Sequence, residues 1–141
     1  MIAIASDHAG YELKEKIKQY LTQTGRAYQD YGTDSTQSCH YPVYAKALCR
    51  AITDGTCDRG ILICGTGIGM SMAANKQKGI RAAACSETYS AKYTRLHNYA
   101  NVLCIGARVL GEGLAEEIVE VFLSTDFEGG KHQTRIDMLE D

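Results

Sequence analysis

Proline occurs only once in this chain, against fourteen glycines, so its turns must rest on glycine. There is no run of like charges, and the formal net charge is −2, which argues against a nucleic-acid arm or a basic membrane face. No apolar stretch is long enough to span a bilayer, and Met1–Ile4 leads straight into polar residues, so neither a membrane anchor nor a signal peptide is expected. Repeats and low-complexity linkers are also missing, and 141 residues fit one domain able to bury roughly two-thirds of its unfolded surface. The six cysteines (39, 49, 57, 64, 85, 104) include no CxxC pair and are irregularly spaced. Free thiols in a reducing cytoplasm are therefore expected, and zinc is not, because neither cysteine nor histidine recurs at ligand spacing.

What is present alternates between two periods. Met1–Ala5 reads as a short buried strand, followed by Leu13, Ile17, Tyr20 and Leu21 at helical spacing, with Lys14, Glu15 and Lys18 on the polar face and Gly25 as the stop. Ala27–Tyr31 is a more polar strand suited to a sheet edge, and Gly32–His40 is a polar loop. Tyr41-Pro42 opens a second helix striped by Tyr44, Ala47, Leu48, Ala51 and Ile52. Ile61–Cys64 is a strand, and a helix covering Ser71–Lys78 follows its glycine-rich turn. Ile80–Cys85, continuous in small apolar residues, reads as a central strand. Ser86 is placed to cap a helix running to about Leu96, and Val102–Gly106 is the fifth strand. Leu110, Leu114, Ile118, Val121 and Phe122 stripe a further helix, and the tail from Phe127 breaks at two glycines before a short helix.

Strands alternating with helices predict an α/β domain: a three-layer, doubly wound, Rossmann-like, five-stranded parallel sheet of order 2-1-3-4-5. The switch point then lies between the first and third strands, where ligands sit beyond the carboxyl ends. Those ends carry Ser6-Asp7-His8 and Cys64-Gly65-Thr66-Gly67-Ile68-Gly69, so the two most chemical stretches converge on one crevice.

Each candidate has a plainer alternative. The turn is G-x-G-x-G, with Met70 where a dinucleotide fingerprint needs its last glycine, so a cofactor fit is poor. A structural tight turn remains open beside the favoured reading, a backbone cradle for phosphate or a developing oxyanion. Cys64 would ordinarily be packing, but a strand end beside a helix N-terminus favours a thiolate. Cys85 and Cys104 lie within apolar strands and read as core. Asp7 suits either a helix cap or a ligand, and His8 suits a phosphate or sugar hydroxyl. His97-Asn98 precedes the fifth strand at its amino end, roughly 15 Å from the crevice by strand rise. It is either an ordinary loop histidine or a group supplied to a neighbouring subunit across a symmetric interface. Arg108 follows the fifth strand, and Lys131, His132 and Arg135 sit in the tail; arginine and lysine suit phosphate, though each alone is an ordinary surface charge.

Together these residues resemble the ribose-5-phosphate isomerase B family, which is related to the galactose-6-phosphate isomerase subunits. The likeness spans nearly the whole chain: Ser6–Gly10, Asp34 through Pro42, Ile63–Gly69, Ala73–Lys76, Cys85–Glu87, Arg95–Asn98, Gly106–Val109, and Glu128-Gly129-Gly130 with His132 and Arg135. The resemblance implies a cytoplasmic enzyme that interconverts ribose 5-phosphate and ribulose 5-phosphate without metal or organic cofactor. It implies a homodimer or dimer of dimers with shared sites, and a tail, 127–141, packing near the subunit interface. By that likeness Cys64 is the base, Gly65, Thr66, Gly67, Ile68 and Gly69 hold the enediolate oxygen, and His97 assists ring opening. Asp7, His8, Asn98, Arg108, Lys131 and Arg135 hold hydroxyls and phosphate, and Tyr41 lines the pocket.

One branch of that family carries a glutamate base where this chain has Met70 and lacks the thiol, so this chain resembles the cysteine branch. Lys131 stands where the family usually has arginine, keeping the charge and losing the bidentate fork, which implies tighter dependence on Arg108 and Arg135. Two rivals follow: isomerisation of a hexose 6-phosphate such as allose 6-phosphate, and a non-catalytic sugar-phosphate-binding module.

Overall fold

A computed structural model describes residues 1–141. Five strands, β1 (Ile2–Ser6), β2 (Tyr28–Asp30), β3 (Arg59–Cys64), β4 (Ala82–Ala84) and β5 (Val102–Gly106), form an all-parallel sheet. Six helices accompany them: α1 (Tyr11–Gln23), α2 (Tyr41–Thr53), α3 (Ile68–Asn75), α4 (Thr88–Asn98), α5 (Glu112–Ser124) and α6 (Lys131–Leu139). Strand alternation sorts the core into two layers. Ile2, Ile4, Ile61, Ile63, Leu103 and Ile105 pack beneath α1 and α5, whereas Ala3, Ala5, Leu62, Cys64, Val102 and Cys104 face α2 and α3. The small side chains on the second face let its helices lie close to the sheet. No helix is long and apolar enough to cross a membrane.

The strand order is β2-β1-β3-β5-β4, so the expected placement of the last two strands is reversed. Every residue of Val102–Gly106 is buried, and this strand takes the place beside β3. Only Ala82–Ala84 of the expected fourth strand pairs, and it lies partly exposed at the edge. Short alanines offer little surface to bury on two faces, and the free edge is closed by a side chain. Asn75 Nδ2 donates to the Ala82 carbonyl at 2.9 Å, and its Oδ1 accepts the Ala82 N–H at 2.8 Å, an amide imitating a neighbouring strand. The reversal leaves the switch point between β1 and β3 unchanged.

Local corrections have similar causes. Lys14, assigned to the polar face of α1, is buried; Nζ bonds Asp30 at 2.6 Å and the Thr33 carbonyl at 2.7 Å, fastening the start of the Gly32–His40 loop. Burial opposes ionisation of Asp30, but hydrogen bonds from Lys14, the Gly32 N–H and Lys18 outweigh it and hold the carboxyl below its usual range. The helix after β3 starts at Ile68, and Glu87 rather than Ser86 caps α4, accepting the Ser90 N–H at 2.8 Å. On α2 the fully buried positions are Ala45, Leu48, Cys49 and Ala51, with Tyr44 and Ala47 only partly covered. On α5 Leu114 turns outward and Ala115, Val119 and Leu123 join the core.

Candidate active site

β3 ends at Cys64, and the chain turns over the carboxyl end of the sheet before entering α3. Gly67 makes that turn at φ 80°, a left-handed conformation that favours glycine. A methyl group there would also lie 2.9 Å from the Ile105 carbonyl carbon, so the turn sits directly on β5. The far side is fastened by Ala107 N–H to the Cys64 carbonyl at 2.8 Å and Arg108 N–H to the Gly65 carbonyl at 3.0 Å.

Within the turn the Gly67 N–H donates to Cys64 Sγ at 3.1 Å, and the Ile68 N–H donates to Thr66 Oγ1 at 3.1 Å. Two donors of the expected cradle are thus engaged. The N–H groups of Gly65, Thr66, Gly69 and Met70 have no acceptor within the chain. Gly69 and Met70 are orphan donors in the first turn of α3, and Gly65 and Thr66 lie in the turn just before it, at an end where negative charge is favoured. Cys64 itself is buried, with its sulfur at this electropositive end.

The same crevice gathers other expected residues. The Asp7 N–H donates to the Ile63 carbonyl at 3.3 Å, which seats Asp7 beside β3; its Oδ1 accepts the Gly10 N–H at 3.1 Å, so it closes the turn into α1. His8 Nδ1 accepts the Cys39 N–H at 3.2 Å. That bond places the ring proton of the neutral imidazole on Nε2, leaving an N–H free for a ligand. Arg108 lies over Gly65, its Nη1 3.4 Å from where a methyl group on that glycine would be, and the Tyr41 ring lies 3.0 Å from the same position on Gly69. A side chain at Gly69 would crowd the Tyr41 ring, whereas one at Gly65 would meet Arg108 at ordinary contact distance.

His97, Asn98, Lys131 and Arg135 belong to a second location at the β4 edge of the sheet. His97 occupies the last turn of α4, where Arg95 anchors the helix by donating to the Ala100 carbonyl at 2.6 Å and the Thr125 carbonyl at 3.2 Å. The His97 ring stacks on His132 with centroids 4.0 Å apart and meets the Tyr93 edge at 5.1 Å; its Nε2 is 3.5 Å from Glu128 Oε2. The Asn98 carbonyl accepts from Arg81 Nε, and Lys131 and Arg135 stand exposed on α6. A groove of about 290 Å³ at this edge is lined by Tyr89, Tyr93, His97 and Asn98, and a cleft of about 660 Å³ by Lys78, Arg81, Asn98 and Leu139. Neither includes Cys64. Donor chemistry rather than volume marks the crevice at the sheet's carboxyl end.

Sequence reasoning gave no role to the Cys39 N–H, to Glu128 or to His132 as neighbours of functional side chains. The first is a backbone group and leaves no trace in residue identity. The other two were visible only as members of a motif. All six cysteines are free, and burial pushes the Cys49 and Cys85 thiols up to about 11 and raises Cys104 as well. These three are core packing.

Comparison with known proteins agrees over the whole length. The Ribose/Galactose Isomerase family model matches residues 2–139. Ribose-5-phosphate isomerase B of Escherichia coli is 48% identical over 138 residues, spanning 98% of this chain and 93% of that protein. D-erythrulose-4-phosphate isomerase of Pectobacterium atrosepticum is 48% identical over 139 residues, 98% of this chain and 91% of the relative. The crystal structure of a ribose 5-phosphate isomerase from Thermotoga maritima matches with a TM-score of 0.97 at 51% identity, covering 99% of this chain and 96% of that one. With a family model matching nearly its whole length and relatives this similar in sequence and fold, this chain belongs to the ribose/galactose isomerase family and is an isomerase.

Proposed function

We propose that the chain interconverts ribose 5-phosphate and ribulose 5-phosphate, with Cys64 as the base. The observation that carries this reading is the Cys64 sulfur, held at the carboxyl end of β3 by the Gly67 N–H at 3.1 Å, beside four unengaged backbone donors. Removing a proton next to a carbonyl needs a placed base and stabilisation of the oxygen that becomes negative. In the aldose-to-ketose direction Cys64 takes the proton from carbon 2 and returns it to carbon 1, while the hydroxyl proton moves from O2 to O1. The free N–H groups of Gly65, Thr66 and Gly69 hold the enediolate oxygen. Gly67 and Ile68 shape the turn, their own N–H groups being committed to Sγ and Thr66 Oγ1.

Arg108 and His8 supply phosphate contacts from the Cys64 side, Asp7 a hydroxyl contact, and Tyr41 a wall. His97, Asn98, Lys131 and Arg135 come from the partner subunit of a homodimer, either free or within a dimer of dimers, and His97 opens the sugar ring. Support for that assembly comes from the separation of the two groups within one chain. It comes also from Val43, Ile68 and Met72 on the packed helices α2 and α3, which leave large apolar side chains 60%, 52% and 63% exposed around the crevice. The tail, 127–141, then packs near the interface of a single sugar-phosphate isomerase domain. Neither metal nor organic cofactor enters the reaction, and the setting is the cytoplasm.

A second substrate reading is favoured by one observation, the 48% identity to an enzyme named for a four-carbon sugar phosphate. Turnover across four-, five- and six-carbon aldose phosphates, with solvent exchange at carbon 2 followed by NMR, separates the readings. The five-carbon substrate is expected to give the highest kcat/KM. A higher value for a shorter or longer sugar would move the assignment, and absence of exchange with all of them would leave a binding module.

A further inference from the structure

His97, Glu128 and His132 come together from three parts of the chain. His97 ends α4, Glu128 lies between α5 and α6, and His132 is in the first turn of α6. One donor atom from each lies within 4.8 Å of the others. The grouping is held by the backbone. The Glu128 N–H donates to the Leu96 carbonyl at 3.1 Å, next to His97, and the His132 N–H donates to the Gly129 carbonyl at 3.2 Å. Tyr93 supports the outer edge of the His97 ring.

Two imidazoles and a carboxylate form a donor set for borderline divalent cations of the zinc class, and three such ligands leave a fourth position open. With metal–ligand bonds of about 2.1 Å, tetrahedral donors stand about 3.4 Å apart. His97 Nε2 and Glu128 Oε2 already stand at 3.5 Å. His132, whose ring is stacked on His97 at 12°, has to turn out of that stack to bring its lone pair to the same point. Lys131 and Arg135 lie close enough to oppose a cation, and Glu128 supplies the negative charge that offsets them.

We propose that His97, Glu128 and His132 form a binding site for a zinc-class divalent cation, with water or an anion in the fourth position, and that occupancy silences the enzyme by taking the His97 lone pair. The binding stands independently of the reaction, whereas the silencing rests on the role given to His97 above.

The probe is the zinc ion alone. It is titrated calorimetrically into Cys64→Ala protein, from which the crevice thiol has been removed, with Cys39→Ser added because the Cys39 thiol stays half-buried beside His8. One zinc per chain is expected, with affinity weakened at least tenfold when Glu128→Gln or His132→Gln is added. Glu128 is exposed, so Glu128→Gln preserves the fold, which circular dichroism verifies. In the otherwise native protein, zinc lowers turnover, a chelator restores it, and Glu128→Gln raises the inhibiting concentration at least tenfold relative to its own zinc-free rate. No binding to the Cys64→Ala, Cys39→Ser protein, or binding untouched by both Glu128→Gln and His132→Gln, overturns the site. Binding lost in both variants, with native turnover unaffected by zinc, overturns the silencing alone. An active enzyme that binds no zinc leaves the isomerase assignment intact.

Discussion

Cys64 and His97 stand on opposite kinds of ground. Cys64 closes a central strand, 5% exposed, in a turn fastened to β5 on one side and opening into a helix on the other. His97 sits on the last turn of a helix at the sheet's edge, its side chain 37% exposed, stacked on His132 and facing Glu128 from the tail. The first arrangement fixes a sulfur relative to backbone donors, as proton abstraction from carbon requires. The second offers side chains outward, to whatever packs there. A rigid half and an outward-facing half within one chain are what a shared, two-subunit site needs, and the proposed dimer joins them.

The comparison breaks first at the thiol. Cys64→Ala should lower kcat by about 10³-fold, with the fold retained by circular dichroism and sugar-phosphate binding largely kept in calorimetry. A rate within tenfold of the parent would remove Cys64 from the chemistry. Next comes subunit mixing. Inactive Cys64→Ala and His97→Ala proteins, combined under conditions that exchange subunits, should recover about a quarter of the parent rate, because random pairing of a dimer makes half the dimers hybrid and each hybrid holds one intact site. No recovery, with exchange verified by mass spectrometry, means that each chain uses its own histidine.

Backbone substitutions sharpen the contrast between the halves. Gly67→Ala combines φ 80° with a methyl group 2.9 Å from β5, and should cost about 2–3 kcal/mol. Gly129→Ala has a similar φ of 75° but open space around it, so only the conformational penalty of about 1 kcal/mol remains. Equal losses in denaturant unfolding would show that the turn after Cys64 is no tighter than the tail.

The smallest effect lies away from both halves. Hydrogen bonds from Arg26 and from the Tyr20 hydroxyl hold the Glu120 carboxyl down to about 2, tying α5 to the chain around α1. A depressed folded-state value means stabilisation that is present above the unfolded value near 4.3 and is lost as pH falls toward 2. Glu120→Gln should therefore flatten that part of the stability profile. The carboxylate is 39% exposed, so solvent screening keeps the gain under about 1 kcal/mol. Turnover at neutral pH should not change, and a variant with an unaltered acid limb would locate the loss elsewhere.

Much of the site was legible because its signals are local. An apolar run before closely spaced glycines reads as strand, turn and helix, and two such strand ends on one crevice follow from βαβ winding. Distant pairings left weaker traces. Nothing in Ala82–Ala84 says that an asparagine seven residues earlier will close its edge, so a run of small apolar residues looked central when it is peripheral. Lys14 reads as one more surface lysine until the loop end that accepts its proton is folded against it.

The sequence by itself determined the class of fold, the crevice at the switch point, and the pairing of a cysteine with a glycine turn, since periodicity and turn chemistry act over a few residues. Only the tertiary structure decided the order of the last two strands, the division of the cradle into engaged and free donors, and the meeting of His97 with Glu128 and His132. Each depends on which surfaces bury best against one another, and that competition takes place across the whole chain.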